Sequence, residues 1–222
     1  MARRRLIGEE LTSLGVVNGV IQDDWDKIIK IAQAGKASKF YGVGNRKALS
    51  FGSYGSTDMI LAGIDVDERA DGEGYANTTW IPVSPIKMTN FLFSSWSNNL
   101  ITYEESQIRF FAEGMAILMP DLVRKNITRI KKTWVSSNKV DQEILCDVWI
   151  PSIRELRSSN SNREKTGPIY PSIPFATDGM SIWTRSAYDG TKGWRFYHSS
   201  VKSECSNAPY ENEYAVLPCF CI

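Results

Sequence analysis

An α+β domain is the fold class this sequence predicts, with two helices, many short antiparallel strands and long ordered loops. Three observations carry that expectation. Apolar residues at helical spacing occur in only two stretches, 24–34 and the segment between Glu105 and Pro120. Short runs of β-branched and aromatic residues, bounded by Gly, Asn, Asp and Pro, recur along the rest of the chain. The connecting segments carry Trp, Tyr and Pro rather than a disordered composition, so they read as ordered loops. At 222 residues, 42% of them hydrophobic and 23% charged, the chain can bury a real core as one large domain.

The elements follow in order. Residues 1–21 are mixed, contain Gly and have no clear period. They read as an N-terminal extension for attachment or oligomer contact, ahead of a domain at 22–222. Asp23 is placed as the N-cap of DWDKIIKIAQA, where Trp25, Ile28, Ile29 and Ala32 repeat at helical spacing and Gly35 supplies the C′ stop. KALSF (47–51) and TDMILAGIDV (57–66) flank GSYGS as a hairpin. DERADGEG is read as a polar loop and TTWIPV (78–83) as a strand. Thr102 and Glu105 read as a capping box before the second helix. Ile108, Phe111, Ala112, Met115, Leu118 and Met119 form its buried face, and Pro120 ends it. ITRIKKTWV (127–135) reads as a strand, and DVWIPSIREL (147–156) as a strand, a Pro break and a helical turn. Residues 157–179, rich in Ser, Asn, Pro and Gly, form a long loop before the closing strands WTRSA, WRFYHSS and YAVLPCFCI.

Composition and motifs exclude several functions. The formal charge of +1 supplies no field for nucleic acid or an anionic membrane, and Arg3, Arg4 and Arg5 are too few for a nucleic-acid arm. No apolar run approaches the ~20 residues that cross a bilayer, so no membrane insertion is expected. Two Glu interrupt the apolar segment after the basic start, so signal-peptide export is not expected and synthesis in a cytosol is. Cys146, Cys205, Cys219 and Cys221 lack a zinc pattern and read as buried free thiols, with Cys219 and Cys221 on one face if LPCFCI is a strand. His198 is the single histidine, GSYGS is not a nucleophile elbow, and FYGVGNRK fails both the P-loop and the dinucleotide fingerprints. Asp65, Asp67, Glu68, Asp71 and Glu73 fit no EF-hand register and read as a solvated acidic turn. No catalytic residue, metal ligand or cofactor is assigned, and an enzyme is not expected.

One stretch resists a structural account by period alone. WTRSAYDGTKGWRFYHSS at 183–200 packs five aromatic residues, three cations and the only His among Ser, Thr and Gly. Together with the terminal AVLPCFCI, its W-T-R-S-A opening resembles a family of phage and prophage proteins of gut bacteria. In that family a W-L-R-S-A-like strand, a Gly-interrupted region and a G-V-A-x-x-F-C-I-like strand close the chain. EESQIRFFAEGMAILMP, DVWIPSIREL, GPIYPSI and DWDKIIKIAQAGKASKFYGVGN resemble further segments of the family in the same order, and together they cover roughly 22–222. Thr184, Tyr214-Ala215, Leu217 and Pro218 depart from the pattern, and Asn is scarce across 188–214.

The resemblance implies a C-type-lectin-like domain, and some members are variable target proteins of diversity-generating retroelements. It implies a fixed frame with exchangeable positions. Trp183, Arg185, Ala187, Phe196, Val216, Phe220 and Ile222 read as frame, by strand alternation with one buried face. Tyr188, Asp189, Thr191, Lys192, Trp194, Arg195, Tyr197 and His198 read as ligand-binding surface. Ser199, Lys202, Glu204, Asn207, Tyr210, Glu211, Asn212 and Glu213 extend it. Tyr, Trp and Arg give large contact area for little rotamer entropy, and the small polar residues adapt around them. The expected function is a receptor-binding or adhesion protein of the virion, with its ligand-binding loops at 188–214. Its partners would be a bacterial surface protein or glycan and other virion proteins, and the chain would form a homo-oligomer, with a trimer suiting such proteins. The alternative is a structural virion protein, a capsid decoration or head-fibre subunit, using the same fold for assembly.

Overall fold

The computed structural model describes residues 12–88, 103–104, 106–135, 141–156, 170, 181–188, 192–197, 203–206 and 214–222. The chain is mixed α+β. A hairpin of β1 (Val16–Val17) and β2 (Val20–Ile21) turns through Asn18 and Gly19, both at positive φ. Its second strand runs parallel to β3 at Val20↔Arg46, so residues 16–21 sit at the edge of the main sheet.

Helix α1 spans Trp25–Gln33. Its N-cap is Asp24, not Asp23: the Asp24 carboxylate accepts from the Lys27 N–H at 2.9 Å. Asp23 is buried instead and accepts from the Leu14 N–H at 2.8 Å, the Tyr41 hydroxyl at 2.8 Å and the Ser13 hydroxyl. Burial raises the pKa of Asp23, but these hydrogen bonds outweigh it and hold the carboxyl below its ordinary range. Gly35 ends the helix as expected, at φ +64°. The Gly35 N–H bonds Ala32 O and the Lys36 N–H bonds Ile31 O, which is the Schellman arrangement.

After α2 (Ala37–Phe40), β3 (Arg46–Ser50) and β4 (Ser56–Gly63) form the expected hairpin, in register from Arg46↔Ile60 to Ser50↔Ser56. A 3₁₀ turn at Gly52–Tyr54 lies between them. The segment read as a polar loop opens with β5 (Asp67–Glu68), which pairs with β6 (Tyr75–Ala76); β7 (Thr79–Pro82) and β8 (Ile86–Met88) follow. Helix α3 (Gln107–Leu118) is capped by Ser106, whose hydroxyl accepts from the Arg109 N–H at 3.2 Å. Ser106 therefore displaces Thr102 as the cap, and Thr102 and Glu105 lie outside the described residues. Ile108, Ala112, Met115 and Met119 are buried as expected, whereas Phe111 and Leu118 are half-buried.

The second half of the chain adds α4 (Asp121–Arg124), a ribbon of β9 (Ile130–Val135) and β10 (Asp141–Cys146), then β11 (Val148–Trp149) and α5 (Ile153–Leu156). It closes with β12 (Ser181–Tyr188), β13 (Lys192–Tyr197), β14 (Ser203–Ser206), β15 (Tyr214–Val216) and β16 (Cys219–Cys221). Two helices were expected and five are present among the described residues. Of the three extra ones, each of four residues, α5 is the helical turn expected after the Pro break in DVWIPSIREL, and α2 and α4 are too short to display a 3.6-residue period. The 157–179 loop lies outside the described residues apart from Tyr170.

Two main sheets result. One has seven strands in the order β1-β2-β3-β4-β7-β16-β11, the other five in the order β14-β13-β12-β15-β8. The core gathers around the first sheet, where Trp80, Trp149, Phe220, Leu61 and Ile81 have essentially no exposed surface. Helix α1 presses Ile28, Ile31 and Ala32 into it, and Trp25 meets Trp80 edge-on at 5.0 Å. Each such side chain contributes roughly 1.5–3 kcal/mol by leaving water. Among the described residues, no helix is long and apolar enough to cross a membrane.

Candidate functional site

Beneath the five-stranded sheet lies a closed cluster of four charged side chains. Asp67, Lys132, Glu155 and Arg185 are each at most 3% exposed. Strand alternation explains Lys132: β9 sends Ile130 and Lys132 to the buried side and leaves Lys131 to pair with Glu68 at 2.9 Å. The Lys132 ammonium donates to Asp67 Oδ1 at 2.5 Å, to Glu155 Oε1 at 2.7 Å and to the Tyr170 hydroxyl at 2.7 Å, which uses all three of its protons. It also sits 4.4 Å from the centre of the Trp149 ring. The Tyr170 hydroxyl donates to Asp67, with both carboxylate oxygens 3.0 Å away, and the Thr79 hydroxyl donates to the same carboxylate.

Glu155 is held by its own helix. Ser152 and Glu155 form a reciprocal capping box: the Glu155 N–H bonds Ser152 Oγ at 3.2 Å and the Ser152 N–H bonds Glu155 Oε2 at 2.9 Å. That same Oε2 accepts from Arg185 Nη1 at 2.5 Å. Arg185 completes its fork on backbone carbonyls, with Nε on Thr133 O and Nη1 on Ile150 O, each at 2.9 Å. Six separated chain segments therefore meet at two anions and two cations.

The charges are fixed near neutrality. Burial raises the Glu155 pKa, but Arg185 and Lys132 more than reverse it, down to about 2. Burial disfavours the Lys132 ammonium, and Glu155 and Asp67 outweigh that, so its pKa rises. The Tyr170 hydroxyl is pushed well up by burial and by both carboxylates, and it stays protonated. The cluster acts as a clamp, tying these segments together through ion pairs and hydrogen bonds. It also corrects the reading of the 65–73 segment as a solvated acidic turn. Asp67 is sealed inside with Lys132 as counter-ion, while Asp71 pairs with Arg69 at the surface and Glu68 with Lys131.

Six of the sixteen sequence-expected binding positions lie on the five-stranded sheet. Tyr188 ends β12; Lys192, Trp194, Arg195 and Tyr197 lie on β13; Glu204 lies on β14. Register places Tyr188 opposite Lys192, Arg195 opposite Glu204, and Trp194 opposite Cys205. Asp189, Thr191, His198, Ser199, Lys202, Asn207, Tyr210, Glu211, Asn212 and Glu213 lie outside the described residues. Of the expected frame, Trp183, Arg185, Val216, Phe220 and Ile222 are buried. Burial of β12 is not one-sided, however. Ile182, Thr184 and Ser186 are buried along with Trp183 and Arg185, because β13 and β15 flank the strand and protein covers both its faces. Cys146, Cys219 and Cys221 are buried free thiols.

A second surface feature was not expected. The outer side of α3 is apolar, with Phe110 61% and Ile117 74% exposed. Together with Tyr54, Gln107, Gly114 and Leu118 they line an open groove of about 760 Å³. Tyr54 meets Phe111 edge-on at 5.8 Å along its floor. The helix QIRFFAEGMAIL is apolar nearly all round, the pattern of a helix covered on both sides.

Arg185 was read as frame, but its partners Asp67, Lys132 and Glu155 escaped the sequence reading as a cluster, although S-x-x-E at 152–155 was a legible local signal. Comparison of the chain with protein-family models, with curated proteins and with solved structures finds no match.

Proposed function

We propose that this chain is a receptor-binding protein of a phage virion, a C-type-lectin-like scaffold presenting the 188–214 region to a bacterial surface protein or glycan. The observation that carries the reading is the placement of Tyr188, Lys192, Trp194, Arg195, Tyr197 and Glu204 on consecutive antiparallel strands. The neighbouring strand β12 carries buried Arg185, which pairs with Glu155 and through it with Lys132 and Asp67. A rigid frame carrying aromatic and Arg positions is the logic of a recognition surface, in which a few anchors supply most of the affinity. Many copies per particle would multiply a modest single-site affinity. Near-neutral net charge suits recognition that depends weakly on salt.

Substituting Trp194 and Arg195 by Ala, separately and together, tests it on intact particles. Adsorption to the host should fall while particle yield is unchanged. Adsorption equal to wild type in the double variant would count decisively against the reading.

The α3 surface favours a second reading, a decoration or fibre subunit whose fold serves assembly. Exposed Phe110 and Ile117 one to two turns apart suit a contact between copies of the chain. If assembly is the main role, Phe110→Glu with Ile117→Lys will lower the oligomeric state seen by light scattering and particle yield together. Under the receptor-binding reading alone, yield survives that change.

A further inference from the structure

We propose that Arg185 is a positioning residue for the recognition surface: seated in the core at a register shift of β12, it sets the direction in which the Tyr188–Lys192 end of the β12–β13 ribbon leaves the sheet. The inference rests on the reading of 188–214 as that surface.

The ladder between β12 and β13 is not continuous. From Trp183↔Arg195 to Ala187↔Gly193, β12 advances four residues while β13 advances two. Two surplus residues must fit into β12, and such an irregularity bends the strand and increases its twist. The surplus lies in Thr184, Arg185 and Ser186, all buried, and the β13 residue across from it is Trp194. A shift of this kind can migrate along a ladder unless something fixes it. Arg185 fixes it from four directions. Its backbone N–H bonds Pro151 O at 3.2 Å, and its side chain reaches Thr133 O, Ile150 O and Glu155. Glu155 is in turn held by Ser152 and Lys132, and Lys132 by Asp67.

Energetics point the same way. Well-packed apolar residues commonly equal or exceed the stability of buried ion pairs. What apolar side chains cannot supply is directional hydrogen bonding to two specified backbone carbonyls and a carboxylate, and the planar guanidinium does supply it. Arg185 thus couples the core to the position of the ribbon carrying Trp194 and Arg195.

The test uses the full-length chain with two substitutions, Arg185→Lys and the paired Arg185→Met/Glu155→Met, which leaves Lys132 and Asp67 as a neutral pair. Backbone hydrogen exchange is followed by mass spectrometry. Expected is exchange at least ~10-fold faster in peptides covering 183–195, with β3, β4 and β7 peptides unchanged. Particles carrying the same variants should adsorb at least ~10-fold less per folded copy. Unchanged exchange across 183–195, or a uniform rise across the whole domain, overturns the proposal, because Arg185 would then be inert or merely stabilising. Should the paired variant fail to fold, Arg185→Lys gives the same discrimination. Failure of the recognition reading is separately visible as wild-type adsorption that is indifferent to Trp194→Ala and Arg195→Ala, whatever the exchange result.

Discussion

Replacing Glu155 by Gln keeps the shape of the side chain and removes one charge from the clamp. The carboxylate accepts three protons, from Lys132 at Oε1 and from Arg185 and Ser152 at Oε2. A carboxamide has one acceptor oxygen, so its NH₂ group must face either the Lys132 ammonium or the Arg185–Ser152 pair. One buried donor set is left facing another, and the cluster keeps two cations against Asp67 alone. Breaking a buried pair by removing one partner costs ~3–5 kcal/mol. The titration of Glu155 leads to a similar figure. Its carboxyl lies at about 2 in the folded chain against an ordinary 4.5, a difference worth ~3 kcal/mol. Because the folded value is the lower one, this stabilisation is complete above pH ~4.5 and is lost as pH falls towards ~2. The assay is urea or thermal unfolding of wild type and Glu155→Gln at steps from pH 7 to pH 2. At pH 7 the variant should melt ~6–20 °C lower, the span that 3–5 kcal/mol produces in a chain of this size. The gap should close between pH 4.5 and pH 2. A variant as stable as wild type at pH 7, or a gap that stays constant down to pH 2, would refute the clamp as described.

Two further outcomes test other parts of the fold. A Cβ on Gly63 would collide with Val66 Cγ2, and Val is stiff at χ1, so Gly63→Ala should destabilise by ~1–3 kcal/mol in urea unfolding. Adding Val66→Ala should recover most of the loss; no recovery would mean the cost lies elsewhere. Burial raises the thiol pKa of Cys146 to about 11 and those of Cys219 and Cys221 well above the ordinary range. A maleimide at neutral pH should leave these three unmodified in the native chain and modify all of them after unfolding, as read by peptide mapping. Native-state modification of Cys219 or Cys221 would contradict the burial of β16.

What the sequence made legible follows from the range over which each signal acts. Helix α1, its Gly35 stop and the β3–β4 hairpin depend on neighbours within a few residues, and all were readable. The one-residue error at its cap arose because Asp23 and Asp24 are adjacent and both are competent caps; distant Ser13 and Tyr41 decided between them. Strands of two residues, such as β5 and β6, are too short to carry a period. Asp67 was hidden for a different reason. Among five neighbouring acids nothing local marks it, and its partners Lys132 and Tyr170 are 65 and 103 residues away. A hint did exist in IKKTWV, where a lysine shares the strand face of Ile130. A polar residue at a core position is where local pattern and function most often part company. The expected surface is legible only in part, because ten of its sixteen positions fall outside the described residues.

Strand β16 has a consequence for biogenesis. It lies between β7 and β11, pairing Phe220 with both Trp80 and Val148, and the Thr78 and Ile222 backbones bond each other on either side at 2.8 and 3.0 Å. A nascent chain that has emerged as far as residue 216 therefore presents two unzipped apolar strand edges, waiting for a wedge that is translated after both of them. Ribosome-bound intermediates of this protein should depend on a chaperone to keep those edges apart.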